Sequence, residues 1–204
     1  MKGVYQLKPA LPRYHEICDV DCVLTPKTLT PVNTLSLRLL SYKLLVLLLL
    51  LTGQRVQTVH KLTIDDIKLT DDNVCIEVSE LIKTSKPGGH IEPFNLSTFK
   101  EDSSLCIVLV LKEYLNRTSV IRKSTQLFLN CIKPCANVSK ATLARWVKEV
   151  LKLSGIDIKT FKPHNIRSAS TSAAVCTADN SIVKVLKSAG WSQESTFRKY
   201  YNKR

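Results

Sequence analysis

No part of the chain limits its possible folds as strongly as the stretch LLVLLLLL at residues 44–51. A helix that crosses a membrane needs about 20 consecutive apolar residues, and this run of eight lies between charged positions on both sides. An apolar segment of this length is typical of a helix buried in a folded core. Ser36 is a suitable N-cap, so we expect the helix to run from there to about Thr52 and to end at Gly53.

Beyond Leu62 the apolar pattern changes to short runs that alternate with polar residues. The runs LTIDDIKL, NVCIEVSEL and HIEPFNL are separated by TDD and KTSKPGG, and Val74, Ile76 and Val78 alternate within the second run. Alternation with a period of two predicts strands, and KPGG is a loop or hairpin signal. These runs predict a three-stranded antiparallel sheet.

The remainder of the chain is predicted to be mainly helical. Ser139 and Gly155 are good termini for a helix at 139–154, and QLFLN is a short apolar segment before it. The fold class is therefore mixed α+β, mainly α, with a small three-stranded antiparallel sheet. The other helical segments are expected at 104–116, 164–177, 180–189 and 192–200.

Residues 1–34 differ in character from the rest of the chain. They contain four prolines and show no sustained periodicity, which predicts an N-terminal arm or linker before a single domain at 35–204. They also lack the apolar stretch of a secretory signal. We expect a soluble, intracellular protein.

The seven cysteines are an odd number and are scattered, mostly within apolar runs. Such a distribution is typical of reduced thiols in an intracellular protein. The four histidines lie far in sequence from the two closely spaced cysteine pairs, so the chain offers no zinc-site pattern, and no metal or other cofactor is predicted.

All of the net charge of +13 lies in the C-terminal part of the chain. Residues 1–111 contain 12 basic and 12 acidic side chains, whereas residues 112–204 contain 18 basic and 5 acidic ones. This asymmetry favours a polyanionic partner, nucleic acid first and an anionic membrane surface second, although no basic amphipathic helix of suitable length supports the membrane. Arg145, Lys148 and Lys152 form a basic face on the predicted 139–154 helix, which is interpreted either as a solvated face or as a contact to DNA phosphates. The opposite stripe is apolar and contains Leu143, Trp146, Val147, Val150 and Leu151.

Six side chains capable of phosphate chemistry occur in separate motifs along the chain. They are Arg55 in TGQRVQT, Lys83 in LIKTSKPGG, His164 and Arg167 in KPHNIRSAS, Trp191 in AGWSQES, and Tyr200 in RKYYNKR. Their order and setting resemble the catalytic domain of the tyrosine recombinases, the phage-type integrases, over about residues 35–204.

The chemistry of phosphodiester cleavage suits these residue types. Negative charge gathers on the non-bridging oxygens during attack, and two guanidiniums, Arg55 and Arg167, can hold those oxygens. The leaving 5′ oxygen needs a proton. The resemblance implies a lysine in the turn between two strands as that acid, which fits Lys83 best and leaves Lys86 as the alternative. It also implies phosphate contacts from His164 and Trp191, although a tryptophan beside a glycine also suits a core.

The spacing of the last motif separates the two adjacent tyrosines. In the family the nucleophile lies nine residues after the position of Trp191, which selects Tyr200 rather than Tyr201. An unbroken helix would place side chains nine residues apart on opposite faces, so a new helix is expected to begin at Ser192. The resemblance implies a 3′-phosphotyrosyl intermediate at Tyr200.

One departure from the family pattern and one subfamily feature are visible. Thr58 stands where the family usually has Asp or Glu, which leaves a catalytically lapsed DNA-binding module as the alternative function. GQRVQTVHKL and the arm KGVYQLKPALPRY are most similar to recombinases of DIRS-type retrotransposons. The resemblance then implies double-stranded DNA as partner, a homo-tetramer on DNA, a nuclear location and no cofactor. Family members normally clamp DNA with a separate N-terminal helical domain, so the chain is interpreted as a fragment or an abridged product.

Overall fold

The computed structural model describes most of the chain between residues 31 and 176. The described residues are Val23, 31–80, 92–159, Phe161, 163–176 and the single positions 182, 185, 186 and 189. Within them, five helices of at least five residues and three strands are present: α1 (Leu37–Thr52), α2 (Val56–His60), β1 (Ile67–Leu69), β2 (Asn73–Ile76), β3 (Phe94–Ser97), α3 (Ile107–Thr118), α4 (Lys140–Leu153) and α5 (Pro163–Cys176). The mainly helical fold with one small sheet is the one that the sequence predicts.

Helix α1 is the centre of the core and begins and ends as predicted. The Ser36 hydroxyl accepts a hydrogen bond from Leu39 N at 3.3 Å, and Gly53 follows the last turn in the left-handed conformation. Every residue from 40 to 49 is buried, because α3, α4 and α5 pack around the helix. The leucine-rich run is therefore a core helix. Among the described residues, no helix is long and apolar enough to cross a membrane.

The sheet is antiparallel with strand order β1-β2-β3. Val74 and Ile76 are fully buried on one face, as their alternation predicts, and Ile76 pairs with Phe94. The first predicted run is shortened because residues 63–66 form a turn before β1.

Helix boundaries in the second half differ from the predictions by a few residues. A short 3-10 helix capped by Asp102 occupies Ser103–Leu105, so α3 begins later than the predicted residue 104. Helix α4 is capped by the Ser139 hydroxyl, which accepts from Thr142 N at 3.1 Å. Helix α5 begins at Pro163, a residue favoured at the first helical position. The helices predicted at 180–189 and 192–200 lie largely or wholly outside the described residues.

An aromatic cluster joins α1, α3 and α4. Tyr42 of α1 and Trp146 of α4 have ring centroids 5.5 Å apart, and Phe128 lies between Trp146 at 6.4 Å and Tyr114 of α3 at 5.9 Å. The Tyr114 hydroxyl accepts a hydrogen bond from Leu129 N at 3.0 Å. The predicted apolar segment QLFLN is thereby held in the core.

Residues that precede α1 are attached to the domain at two places. Arg117 of α3 donates to the carbonyl of Asn33 at 2.8 Å and to that of Leu35, and its Nε contacts Glu113 at 2.6 Å. Val23 is fully buried, and its carbonyl accepts from Ser154 at 3.3 Å. One residue of the predicted arm thus belongs to the core, and the boundary at 34/35 stays a prediction.

Candidate active site

The turn after α1 requires glycine. Gly53 has φ 60°, and its N–H donates to Leu49 O at 3.0 Å. A Cβ at this position would lie 2.9 Å from Ala189 Cβ and 3.2 Å from Thr171 Oγ1 of α5. Only a residue without a side chain therefore allows the end of α1 to approach α5 this closely.

Arg55 lies two residues beyond this turn and directly precedes α2. Its carbonyl accepts from Thr58 N at 2.8 Å and from Val59 N at 3.2 Å, so its backbone begins the helix. The arginine is half-buried, whereas Thr58 is only 2% exposed. Two helices, one on each side, thereby fix the backbone of Arg55 at the edge of the core.

Helix α5 brings the second predicted arginine to the same region. All residues from 165 to 172 are buried, and Arg167 is only 2% exposed with Nε and Nη1 buried. Thr171 Oγ1 donates to Arg167 O at 2.7 Å, and Ser170 Oγ donates to Leu50 O of α1. Because the small hydroxyl side chains of Ser170 and Thr171 donate their hydrogen bonds to helix carbonyls, α5 can pack closely on α1.

These contacts bring together the two segments that carry the predicted phosphate clamp. A Cβ at Gly53 would lie 3.2 Å from Oγ1 of Thr171, which is one turn from Arg167, and Arg55 follows Gly53 by two residues. His164 and Arg167 both belong to α5, as the sequence predicts. The catalytic roles of Arg55, His164 and Arg167 remain predictions.

The other predicted catalytic residues lie outside the described part of the chain. These are Lys83, its alternative Lys86, Trp191 and Tyr200. The strands on either side of the two lysines are described. β2 is paired with β3 along its length, from Asn73 opposite Ser97 to Ile76 opposite Phe94. The lysines therefore belong to the connection between two adjacent antiparallel strands, as predicted.

Helix α4 presents the predicted basic face to solvent. Arg145, Lys148 and Lys152 are exposed. The predicted apolar stripe is buried on the opposite side: Leu143, Trp146, Val147, Val150 and Leu151. The cations are thus available to an external anion. Contact with DNA remains a prediction.

The residue that sequence reasoning missed is Asp66, which is only 6% exposed. One carboxylate oxygen accepts from Thr63 N and Thr63 Oγ1, each at 2.8 Å, and the other accepts from Ser79 Oγ. Burial raises the pKa of Asp66, but the hydrogen bonds from Ser79 and Thr63 outweigh it and hold that pKa below its ordinary value. The spacing T-x-x-D before a strand was the only signal in the sequence.

Two clefts in the described part of the chain do not contain the predicted clamp. A cleft of about 550 Å³ between α1, β3 and α5 is lined by apolar and neutral side chains. A second, of about 300 Å³, includes Arg38, Arg145 and Glu149. Across the described residues, no group of three His, Cys, Asp or Glu side chains could hold a metal ion, and the five described cysteines are free thiols.

Comparison with known proteins gives a family match over most of the chain. The phage integrase family matches residues 27–204. The chain belongs to the phage integrase family. No curated protein matches it.

Solved structures of other integrases and recombinases share this fold. XerA recombinase superposes with a TM-score of 0.67 at 20% identity, covering 97% of this chain and 62% of XerA. XerH recombinase bound to its difH substrate superposes with a TM-score of 0.65 at 18% identity, covering 93% of this chain and 50% of XerH. A lambda integrase(75-356) dimer bound to a COC′ core site superposes with a TM-score of 0.56 at 18% identity, covering 96% of this chain and 61% of the lambda integrase chain. The chain thus spans between half and about three fifths of the length of these proteins.

Proposed function

We propose that the protein cleaves and rejoins DNA strands through a covalent 3′-phosphotyrosyl intermediate, as a tyrosine recombinase or integrase. The observation that carries the proposal is the packing of the turn at Gly53 against α5, which brings the segments of Arg55 and Arg167 together. The family match supports it, because it includes both segments and Tyr200.

In the proposed reaction the Tyr200 oxygen attacks the scissile phosphorus and the bond to the 5′ oxygen breaks. Lys83, or alternatively Lys86, protonates that leaving oxygen, while His164 and Trp191 donate hydrogen bonds to the phosphate. Free tyrosine has a pKa near ~10, so the arginines must favour its phenolate as it attacks. A 5′ hydroxyl from another strand reverses the step. Each step replaces one phosphoester bond with another, so the proposed reaction needs no external energy source.

Double-stranded DNA is the proposed partner, and the exposed face of Arg145, Lys148 and Lys152 is the proposed phosphate contact. Structures of relatives support this, since XerH is bound to its difH substrate. A lambda integrase tetramer bound to a Holliday junction supports a tetramer on DNA for this chain as well.

The sequence features GQRVQTVHKL and KGVYQLKPALPRY further support assignment to a DIRS-type retrotransposon, which would place the protein in the nucleus. A reverse-transcriptase reading frame beside the gene is the expected result of sequencing the locus. A phage or plasmid context would reject this subtype while leaving the recombinase proposal intact.

The test of the chemistry uses nicked suicide duplexes drawn from the DNA on both sides of the gene. A covalent protein–DNA adduct is expected with the unmodified chain and with Tyr201→Phe, and none with Tyr200→Phe. Tyr201 is the matched control because it has the same side chain one residue away. An adduct that persists in Tyr200→Phe refutes the assignment of the nucleophile.

The buried Thr58 favours a second candidate, a DNA-binding module that has lost catalysis. Thr58 does not carry the carboxylate that is usual at this position in the family, and it is only 2% exposed. Salt-dependent duplex binding with no adduct on any flanking sequence would favour this candidate.

Under either function, Lys148→Ala should reduce the steepness of the plot of log association constant for DNA against log salt concentration by about 0.9. Lys68→Ala, which removes an exposed lysine paired with Glu77 on the sheet, should leave that slope unchanged.

A further inference from the structure

Asp66 connects two parts of the molecule that the proposed reaction uses. Its carboxylate accepts hydrogen bonds from Thr63, three residues beyond α2, and from Ser79, three residues beyond β2. Its backbone carbonyl accepts from Glu77 N at 2.9 Å. The segment that leaves β2 toward the lysine-bearing connection is thus attached to the turn that leaves α2, the helix that begins directly after Arg55.

A second contact holds the same segment. Lys61, at the end of α2, pairs with Glu80 at 2.7 Å, and Glu80 is the last described residue before the connection. This ion pair is largely exposed and contributes little by itself. The buried carboxylate is different, because its neutral donors must stay in place to compensate the removal of a charge from water.

Packing alone does not explain a carboxylate at this position. Three neutral donors converge on Asp66, and among the described residues it forms no ion pair with a cation. One oxygen bonds to Thr63 and the other to Ser79, which suits a residue that joins two chain segments. An apolar side chain of similar size would fill the space but would leave Ser79 unattached.

We propose that Asp66 is a positioning residue for the general acid, because it fixes the origin of the connection that carries Lys83 and Lys86. The inference rests on the proposed function. Asp66 contacts neither DNA nor the reacting atoms in this role. It acts through Ser79, by holding the base of the connection at a set place relative to the α2 end of the site.

The test replaces the leaving group. In one duplex the scissile 5′ oxygen is retained, and in the other it is replaced by sulfur, whose thiolate leaves without protonation because a thiol has a pKa near ~8.5. Loss of a general acid slows cleavage by about 10²-fold to 10⁴-fold, and misplacing it by about 1 Å costs up to about 10²-fold. Single-turnover adduct formation is measured on both duplexes with the same protein preparation.

We expect Asp66→Ala to slow cleavage of the oxygen substrate by about 10-fold to 100-fold and that of the sulfur substrate by less than about twofold. Ser79→Ala, an exposed and milder change, should show the same selective loss to a smaller degree, which covers the case in which Asp66→Ala fails to fold. The matched control is Asp71→Ala, which removes an exposed carboxylate paired with Lys112 at 2.6 Å at the far end of the sheet. It should slow neither substrate.

The outcomes separate the inference from the proposed function. Equal slowing of both substrates in Asp66→Ala and Ser79→Ala means a general structural role and overturns the inference alone. If the unmodified chain forms no adduct with either duplex, the proposed function falls and the inference with it. Substitution of the lysine that acts as the acid, Lys83 or Lys86, should also slow cleavage of the oxygen substrate alone. In the background of that substitution, Asp66→Ala should add no further loss, because both changes remove the same function. Independent, additive losses there would also overturn the inference.

Discussion

Replacing Gly53 with alanine should destabilise the protein by two separate effects. The first is backbone strain, since φ is 60° and a left-handed conformation costs a residue with a side chain about 1–2 kcal/mol. The second is overlap, since the new Cβ would lie 2.9 Å from Ala189 Cβ and 3.2 Å from Thr171 Oγ1. Forcing an extra methyl into a packed region typically costs about 1–3 kcal/mol. Together they predict a loss of about 2–5 kcal/mol in the free energy of unfolding.

Gly155 offers the matched control for this prediction. It also has a positive φ, 74°, but a Cβ there would meet nothing within 4 Å. Gly155→Ala should therefore lose only the strain of about 1–2 kcal/mol. Urea unfolding of both variants, with equal m-values, measures the difference, which should be about 1–3 kcal/mol. Equal losses, within about 0.5 kcal/mol, would refute the claim that the end of α1 needs glycine for its approach to α5.

Three further substitutions test other contacts. Tyr114→Phe should cost about 1–3 kcal/mol, measured by thermal unfolding, because it leaves the buried N–H of Leu129 without its acceptor. Arg117→Ala should increase the rate of limited proteolysis before α1, because it frees the carbonyls of Val32, Asn33 and Leu35, and an unchanged cleavage rate would contradict this. Asp66→Asn should destabilise the protein by about 1–3 kcal/mol at pH 7. Since the folded-state pKa of Asp66 is depressed, its contribution is complete above its unfolded pKa near ~4 and disappears as pH falls through the folded pKa. The difference between the variant and the unmodified chain should therefore shrink in acid, and a constant difference would show that charge is not involved.

The elements with strong local signals could be predicted from the sequence. Ser36, Gly53, Ser139 and Gly155 all lie at the helix ends that they predict, because caps act through bonds within a few residues. The alternation of Val74 and Ile76 gave the buried face of the sheet for a similar reason.

Contacts between distant parts of the chain could not be predicted in this way. Lys43 adjoins the leucine run and is buried, and burial lowers its pKa although nearby Asp102 opposes the effect. Asp66 reaches Ser79 across a strand hairpin. The closeness of Gly53 to Thr171 depends on how α5 crosses α1. None of these follows from spacing alone, because each needs the tertiary arrangement first.

The same limit applies to the candidate site. The motifs assigned Arg55 and Arg167 to one function from the family pattern. The structure adds the physical means, a glycine turn and small hydroxyl side chains that let two helices approach.

The complete burial of α1 from residue 40 to residue 49 has a consequence for motion. A helix enclosed on every side cannot rotate or slide without breaking all of its contacts, so its amide hydrogens should exchange with solvent only when the whole domain unfolds. The helix that leads into the Gly53 turn and Arg55 is therefore held stiffly. When a duplex binds, we expect this end of the phosphate clamp to keep its shape.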